Sequence, residues 1–387
     1  MRFVVKVLRI FMAISFRILV LCILSFALAL LKIIMFGENH IFGGAFFGLL
    51  EGLGLGAVFI ISYNFIVFRS TVRWPILRIV RDPSNSAGPT YSGFWKIGAV
   101  ISILVVIVAL WYCAAVWLNA AWTYDQAARN GSEVTFTLLL TDTMAQERPV
   151  LPPPHQVVAE LWKGLTAYNI TSKKSLVYHG YVTLVSTFSG FVLGSLLGIL
   201  LAVGIVQSRT MELGLMPWAV ISQTVPVVAI APMIVVLSNS LGFGDHLGVS
   251  NALVSKTIIA AYLSYFPVLV GMVKGLRSPD QMQLDQLKTY SASEAQGFFK
   301  LRMPSSVPYL FTSLKVGIAA SLVGAIVGEL PTGAIEGLGA RMLIGSQFGS
   351  PIIVWAALFA AAILAGVLIL IVRVVETVVT RNMGVRV

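Results

Sequence analysis

Two carboxylates make the strongest chemical demand in this sequence. Glu51 and Glu329 each fall within or at the end of an apolar run long enough to cross a bilayer. An ionised acid at that depth is costly, so it takes either a function, such as a step in an ion or substrate path, or a partner that neutralises it. For Glu51, pairing between helices is the simpler reading. Glu329 precedes Leu330-Pro331-Thr332-Gly333. Snorkelling to water, binding a neighbouring helix terminus and lining a path are all open to it. A second polar feature is Gln223-Thr224-Val225-Pro226, followed by Pro232. Each proline removes a backbone donor and kinks a helix. Carbonyls freed beside Gln223 and Thr224 would face a polar path, so Gln223, Thr224, Pro226, Pro232 and Glu329 are the substrate-path candidates.

Other chemistry finds no residues to carry it. The sequence has no phosphate-cradling Gly-x-x-x-x-Gly-Lys-Ser/Thr loop, no His-Glu-x-x-His and no nucleophile elbow. Gly52, Gly54 and Gly56 follow no strand and sit inside an apolar run, so they read as close helix packing. His40, His155, His179 and His246 are scattered, and Cys22 and Cys113 lie in apolar runs, where they act as small hydrophobic residues. No catalytic residue, metal site or cofactor is expected in this chain.

The elements that must position these groups are transmembrane helices. Of 387 residues only 11% are charged, against roughly 25% in a soluble globular protein, and the mean hydropathy is +0.89. Ile97–Trp122 and Leu176–Ser208 contain no charged residue. A bilayer core of about 30 Å needs roughly 20 such residues per helix, and continuous rather than alternating apolar runs exclude a strand barrel. The expectation is an all-α polytopic membrane protein of eight spans, near 18–36, 43–67, 97–121, 181–206, 218–238, 253–273, 309–330 and 351–372. Met1–Ala29 has the basic start and the Ala27-Leu28-Ala29 site of a signal peptide. Its apolar run exceeds the usual ~7–15 residues, so it reads as a retained span.

Charge orients the spans. With the termini inside, nineteen Lys and Arg residues fall on the cytoplasmic side and seven outside. That asymmetry places both termini, and the loop Lys274–Pro308, in the cytoplasm. The net charge of +11 is therefore topological and implies no nucleic acid. The chain divides into an N-terminal three-span extension (1–122), an outer polar segment (123–175) and a five-span core (176–387) with a loop at 280–305. In the outer segment, the stiff Pro152-Pro153-Pro154 run leads into an amphipathic helix carrying Val157, Val158, Leu161, Trp162 and Leu165. That helix is expected to rest on membrane lipid.

The cytoplasmic loop is unusual for a connector. Ser278-Pro279-Asp280 reads as a helix start with proline in the first turn, and Met282, Leu284 and Leu287 give a first amphipathic piece. Ser291-Ala292-Ser293 breaks it. Ser293 and Gln296 have capping-box spacing for a second piece carrying Phe298, Phe299 and Leu301, which Pro304 is expected to end. Two short helices with apolar knobs form a docking surface; an amphipathic loop lying on lipid is the alternative.

Asp285–Pro304 resembles the loop of binding-protein-dependent ABC importer permeases, whose pattern is Glu-Ala-Ala-x-x-x-Gly and a later Leu-Pro. Asp285 takes the Glu place, Gln286 and Leu287 the Ala places, Ser291 the Gly place and Met303-Pro304 the Leu-Pro. Phe298-x-Lys300-Leu301-Arg302-Met303-Pro304, Pro226-x-x-Ala229-x-x-Pro232, Gly324–Leu330, Gly337-Leu338-Gly339 and Leu151–Pro154 resemble the nitrate/sulfonate/taurine-type members. The resemblance covers about residues 150–380. It implies a type I importer permease core of five spans; the three N-terminal spans read from the apolar runs lie outside it and are unusual for that family. It further implies an ATPase-coupling helix built on Asp285, Gln286, Leu287, Ser291, Ala292, Glu294, Phe298 and Pro304. The implied partners are ABC ATPase subunits that bind the ATP and Mg, a second permease copy or paralogue, and a periplasmic solute-binding protein. The competing function is an ion-gradient-driven secondary transporter, which calls for paired repeats and a relay of intramembrane ionisable groups.

Overall fold

The computed structural model describes residues 93–131, 133–333 and 336–384. The expected spans at 18–36 and 43–67, and Glu51, lie outside the described residues. From Val100 on, the chain forms one compact unit. Its regular elements are all helices. They are α1 (Gly93–Asn130), α2 (Phe136–Ala145), α3 (Pro154–Thr166), α4 (Leu176–Gln207), α5 (Arg209–Ser222), α6 (Val227–Ser240) and α7 (Phe243–Leu247). Then follow α8 (Asn251–Leu276), α9 (Gln281–Thr289), α10 (Glu294–Gly297), α11 (Met303–Glu329), α12 (Leu338–Gln347) and α13 (Pro351–Asn382). Five helices among the described residues are long and apolar enough to span a membrane, or six spans if the bent pair α5 and α6 counts as one.

The core is α8 held between α4 and α11. Lipid tails are as apolar as leucine, so helices associate in a bilayer through close packing, which small residues permit. Gly190, Gly194 and Gly198 recur every fourth residue on α4 and meet α8. A Cβ on Gly194 would lie 2.6 Å from the Ala261 carbonyl oxygen, and one on Gly198 equally close to that of Tyr265. The Ser264 hydroxyl reaches the Gly190 carbonyl at 3.3 Å. Gly275 of α8 lies against Ser306, and Gly324 of α11 against the Ala260 backbone. Gly194→Ala is expected to cost about 1–3 kcal/mol through overpacking. Gly214→Ala on α5, where a Cβ meets nothing within 4 Å, should be neutral or slightly stabilising. Unfolding of the two variants in mixed detergent micelles checks this.

The expected span at 218–238 is not one helix. α5 ends at Ser222, α6 begins at Val227, and their axes differ by 101°. Pro226 causes the break. It is the N-cap of α6 at φ −63° and ψ 115°, and a proline disfavours helical geometry in the residue before it. Pro232, expected to kink the same span, lies inside α6 without interrupting it.

The segment before α4 is firmly built. α1 continues past the expected end near 121 to Asn130, and α2 adds a second helix in the polar stretch. The buried Asn119 amide donates to the Leu151 carbonyl at 2.9 Å and accepts from the Val150 amide at 2.8 Å. Trp111 Nε1 donates to the Pro152 carbonyl, and its ring stacks on Phe359 of α13 at 5.7 Å. Pro153 caps α3 in extended geometry, and Pro154 opens it. Val157 of α3 is buried, whereas Val158 and Trp162 are exposed, leaving an apolar stripe on its outer face.

Candidate functional site

The loop between α8 and α11 folds as two helices at a tight turn. Asp280 is the N-cap of α9, with its side chain and that of Gln283 forming a capping box. Pro279 therefore precedes the helix rather than occupying its first turn. α9 closes with the left-handed end motif: the Ala292 amide donates to the Leu287 carbonyl at 3.0 Å, and the Ser291 amide to the Lys288 carbonyl at 2.9 Å. Ser291 sits at φ +55°, the one described non-glycine residue with positive φ. A β-carbon is disfavoured there and glycine is favoured. Ser291→Gly is expected to stabilise the turn by about 1 kcal/mol, read as slower hydrogen exchange at the amides of Ser291 and Ala292.

Ser293 starts the second helix, accepting from the Gln296 amide while the Gln296 side chain accepts from the Ser293 amide at 2.9 Å. Pro304 does not end this helix. Phe298–Arg302 form a π-helical turn, and Pro304 stands in the first turn of α11. The helix is apolar and continuous from Glu294 to Glu329. The widened turn bonds the Met303 amide to the Phe298 carbonyl, so the missing proline donor is absorbed where the ladder is already shifted.

The docking candidates separate into two sets. Asp285, Gln286, Ser291, Glu294 and Pro304 are exposed, and Leu287 and Ala292 are half-buried. Asp285 accepts from Lys288 at 3.0 Å, which holds its carboxyl below the ordinary aspartate range. Phe298 packs on the core cluster of Leu269, Met272 and Leu276. Its perpendicular neighbour Phe299 is 68% exposed, with Met282 and Tyr290 also outside. Phe298 anchors the loop, and Phe299 is the ring presented outward. Leu284, Leu287, Phe298, Arg302 and the end of α4 line a concavity of about 720 Å³.

The path candidates separate as well. Gln223, Thr224, Pro226 and Pro232 are exposed along the broken span. Glu329 is not with them: it is fully buried at the far end of α11. Its carboxylate accepts from the Thr183 hydroxyl at 2.8 Å and from the Gly339 amide at 2.7 Å, at the start of α12. Lys256 Nζ, also buried, is 3.9 Å away. Thr183 Oγ1 in turn accepts from the Leu338 amide, and His179 Nδ1 from the Gly337 amide. Gly337 is at φ +123°, and a Cβ there would overlap the Glu329 carboxylate. Three open amides of a helix start are thus satisfied by side chains of α4 and α11. Sequence reasoning placed Lys256 among the outer charges; its partner comes from a distant segment, so no local pattern announces the pair.

Among the described residues, no three His, Cys, Asp or Glu side chains come together as a metal site. Apolar spans, one of them broken, with a polar two-helix loop at one end define a multi-spanning helical membrane protein. Residues 194–385 match the family described as binding-protein-dependent transport system inner membrane component. A probable ABC transporter permease protein of Haemophilus influenzae is 34% identical over 194 residues, 50% of this chain and 71% of that one. A formylaminopyrimidine transport permease protein of Halalkalibacterium halodurans is 33% identical over 206 residues, 52% of this chain and 74% of that one. A riboflavin transport system permease protein of Chloroflexus aurantiacus is 28% identical over 232 residues, 60% of this chain and 80% of that one. Relatives named for aliphatic sulfonates and for nitrate also match, in keeping with the resemblance in the loop and spans. This chain belongs to the family of ABC transporter permeases that form the inner-membrane component of binding-protein-dependent transport systems.

Proposed function

We propose that this chain is the permease subunit of an ATP-driven importer and that the α9–α10 loop couples it to a separate ATPase. The observation that carries this reading is the loop itself. Ser291 takes the left-handed turn at the place where the family pattern has glycine, and Met282, Tyr290 and Phe299 are exposed on the helices it joins. A solvated connector has no use for three exposed apolar anchors, whereas a groove on a partner does. The loop and both termini lie in the cytoplasm by the charge asymmetry. Two permease copies, or this chain and a paralogue, enclose the path, which the exposed residues at the break, Gln223–Pro226, line. ATP and Mg bind to the ATPase subunits. Their closure displaces the loops and shifts the permease between two states, and a periplasmic solute-binding protein delivers the cargo.

The cargo proposed is a small nitrogen heterocycle, in line with relatives named for formylaminopyrimidine and riboflavin. Calorimetry of the cognate solute-binding protein against thiamine-precursor pyrimidines and flavins tests the class. Micromolar binding to one of them supports it, and binding only to sulfonates or nitrate sinks it. Asp285→Arg tests the register of the loop: it should lower ATPase association and uptake together. Unchanged association and uptake would place the contact elsewhere on the loop.

A further inference from the structure

α5 leads from the cytoplasmic end of α4 up to the break, and it is fastened to α8 at both of its ends. At the loop end, the Glu212 carboxylate binds Arg277 at 3.0 Å and Arg209 at 2.8 Å. Arg277 is the C-cap of α8 and the first residue of the loop. At the break, Ser222 is the last residue of α5. Tyr262 of α8 donates to the Ser222 carbonyl. The Ser222 hydroxyl donates to the Ala219 carbonyl at 2.8 Å, so the Tyr265 hydroxyl donates to Ser222 Oγ.

Between these two fastenings the helices run antiparallel over similar lengths, roughly 15 Å of α5 and 18 Å of α8 at 1.5 Å per residue. Ala219 is buried with Tyr265, Leu269 and Met272, and Leu215 and Met216 pack on the same cluster. α6 is held differently. Its Ser238 hydroxyl donates to the Asn251 carbonyl at the opposite end of α8. Pro267 stands inside α8 between the two fastenings; it removes one ladder bond there, and α5, tied to α8 on both sides of it, splints the helix at that point.

We infer that α5 and the loop-proximal half of α8 form one lever, which carries displacement of the cytoplasmic loop to the break at Gln223–Pro226. Glu212, Ser222, Tyr262 and Tyr265 are its positioning residues. The lever rests on the importer reading above. When the loop moves, α5 moves with it, α6 stays with the opposite half of α8, and the angle at Gln223–Pro226 takes up the difference. A break in a span that was fastened to the loop at neither end would not feel the ATPase.

The test uses the full chain assembled with its ATPase, with Cys22 and Cys113 replaced by alanine. Cysteines at 212 and 277 joined by a short bismaleimide should leave ATP hydrolysis at the rate of the unlinked protein, because these positions never separate. Spin labels at Leu213 on α5 and Val236 on α6, both exposed, should change separation on addition of ATP and vanadate. That change should vanish in Glu212→Gln combined with Tyr262→Phe and Tyr265→Phe, while hydrolysis persists. The triple variant keeps every ring and side-chain length, so a folding defect would show as loss of assembly. In that case Glu212→Gln alone, at a half-exposed position, must weaken the response. Arrest of hydrolysis by the cross-link by about tenfold or more, or an undiminished label response in the variants, overturns the lever. If the unmodified chain shows no response to ATP and vanadate at this pair or at a pair from Met282 to Val236, coupling to the ATPase fails, and the lever fails with it.

Discussion

Lys256→Met is expected to destabilise the protein by about 3–5 kcal/mol, the usual consequence of leaving one member of a buried ion pair without the other. The carboxylate of Glu329 would remain fully buried, with Thr183 and Gly339 as its donors but no cation near it. Glu329→Gln should cost a similar amount, since it strands the buried Lys256 ammonium without a counter-charge. The double variant Lys256→Met with Glu329→Gln should recover a large part of either loss, because no uncompensated charge is left inside. Reversible unfolding in mixed micelles, arranged as a double-mutant cycle, measures the coupling directly. Strictly additive single-variant losses would show that the pair does not act as a unit. The same variants should free α12, whose first amides are tied down by Glu329, Thr183 and His179. Thiol reagents should then reach a cysteine at Ala340, buried in the native fold, faster than in the parent.

Phe299→Asp is expected to reduce ATPase association by about 2–4 kcal/mol, a loss of roughly 30-fold to 1,000-fold in affinity, with uptake falling in step. Its ring is 68% exposed, so folding should survive, and the yield of detergent-solubilised protein should match the parent. Phe298→Asp should behave differently. That ring packs on Leu269, Met272 and Leu276, and the substitution should destabilise the loop and its support together. Equal effects of the two substitutions on association, with no loss of stability in either, would contradict the division of the pair into anchor and knob.

Much of the architecture was legible because its causes are local or cumulative. Apolar runs place α4, α8, α11 and α13 near their observed positions. Their ends run past the expected bounds, as in α13, which continues to Asn382, because a helix outlasts the hydrocarbon it crosses. At 32 residues it is about 48 Å long against a core of about 30 Å. The capping box at Ser293 and Gln296 was readable since both partners lie within one turn. The effects of proline were not. Pro226 breaks a span, Pro232 does not, and Pro304 sits inside a continuous helix where the π-helical turn already shifts the ladder. The lysine–glutamate pair was hidden for another reason. Lys256 reads as an outer charge until α11 is folded beside α8, and only then does the buried acid have its cation. In the loop, periodicity located both helices but did not tell which of two adjacent phenylalanines faces the core, since the π-helical turn resets the helical phase there.

Site-specific photo-cross-linking from position 299 reads whether the loop seats on a separate ATPase and is driven by it. A photoreactive residue replaces Phe299 in the full chain within native membranes containing the cognate ATPase and solute-binding protein. One dominant adduct with the ATPase subunit is expected, its yield changing on addition of ATP and vanadate. Adducts with lipid alone, together with uptake that persists when the ATPase gene is deleted and collapses when the ion gradient is dissipated, would contradict that seating and favour a gradient-driven transporter.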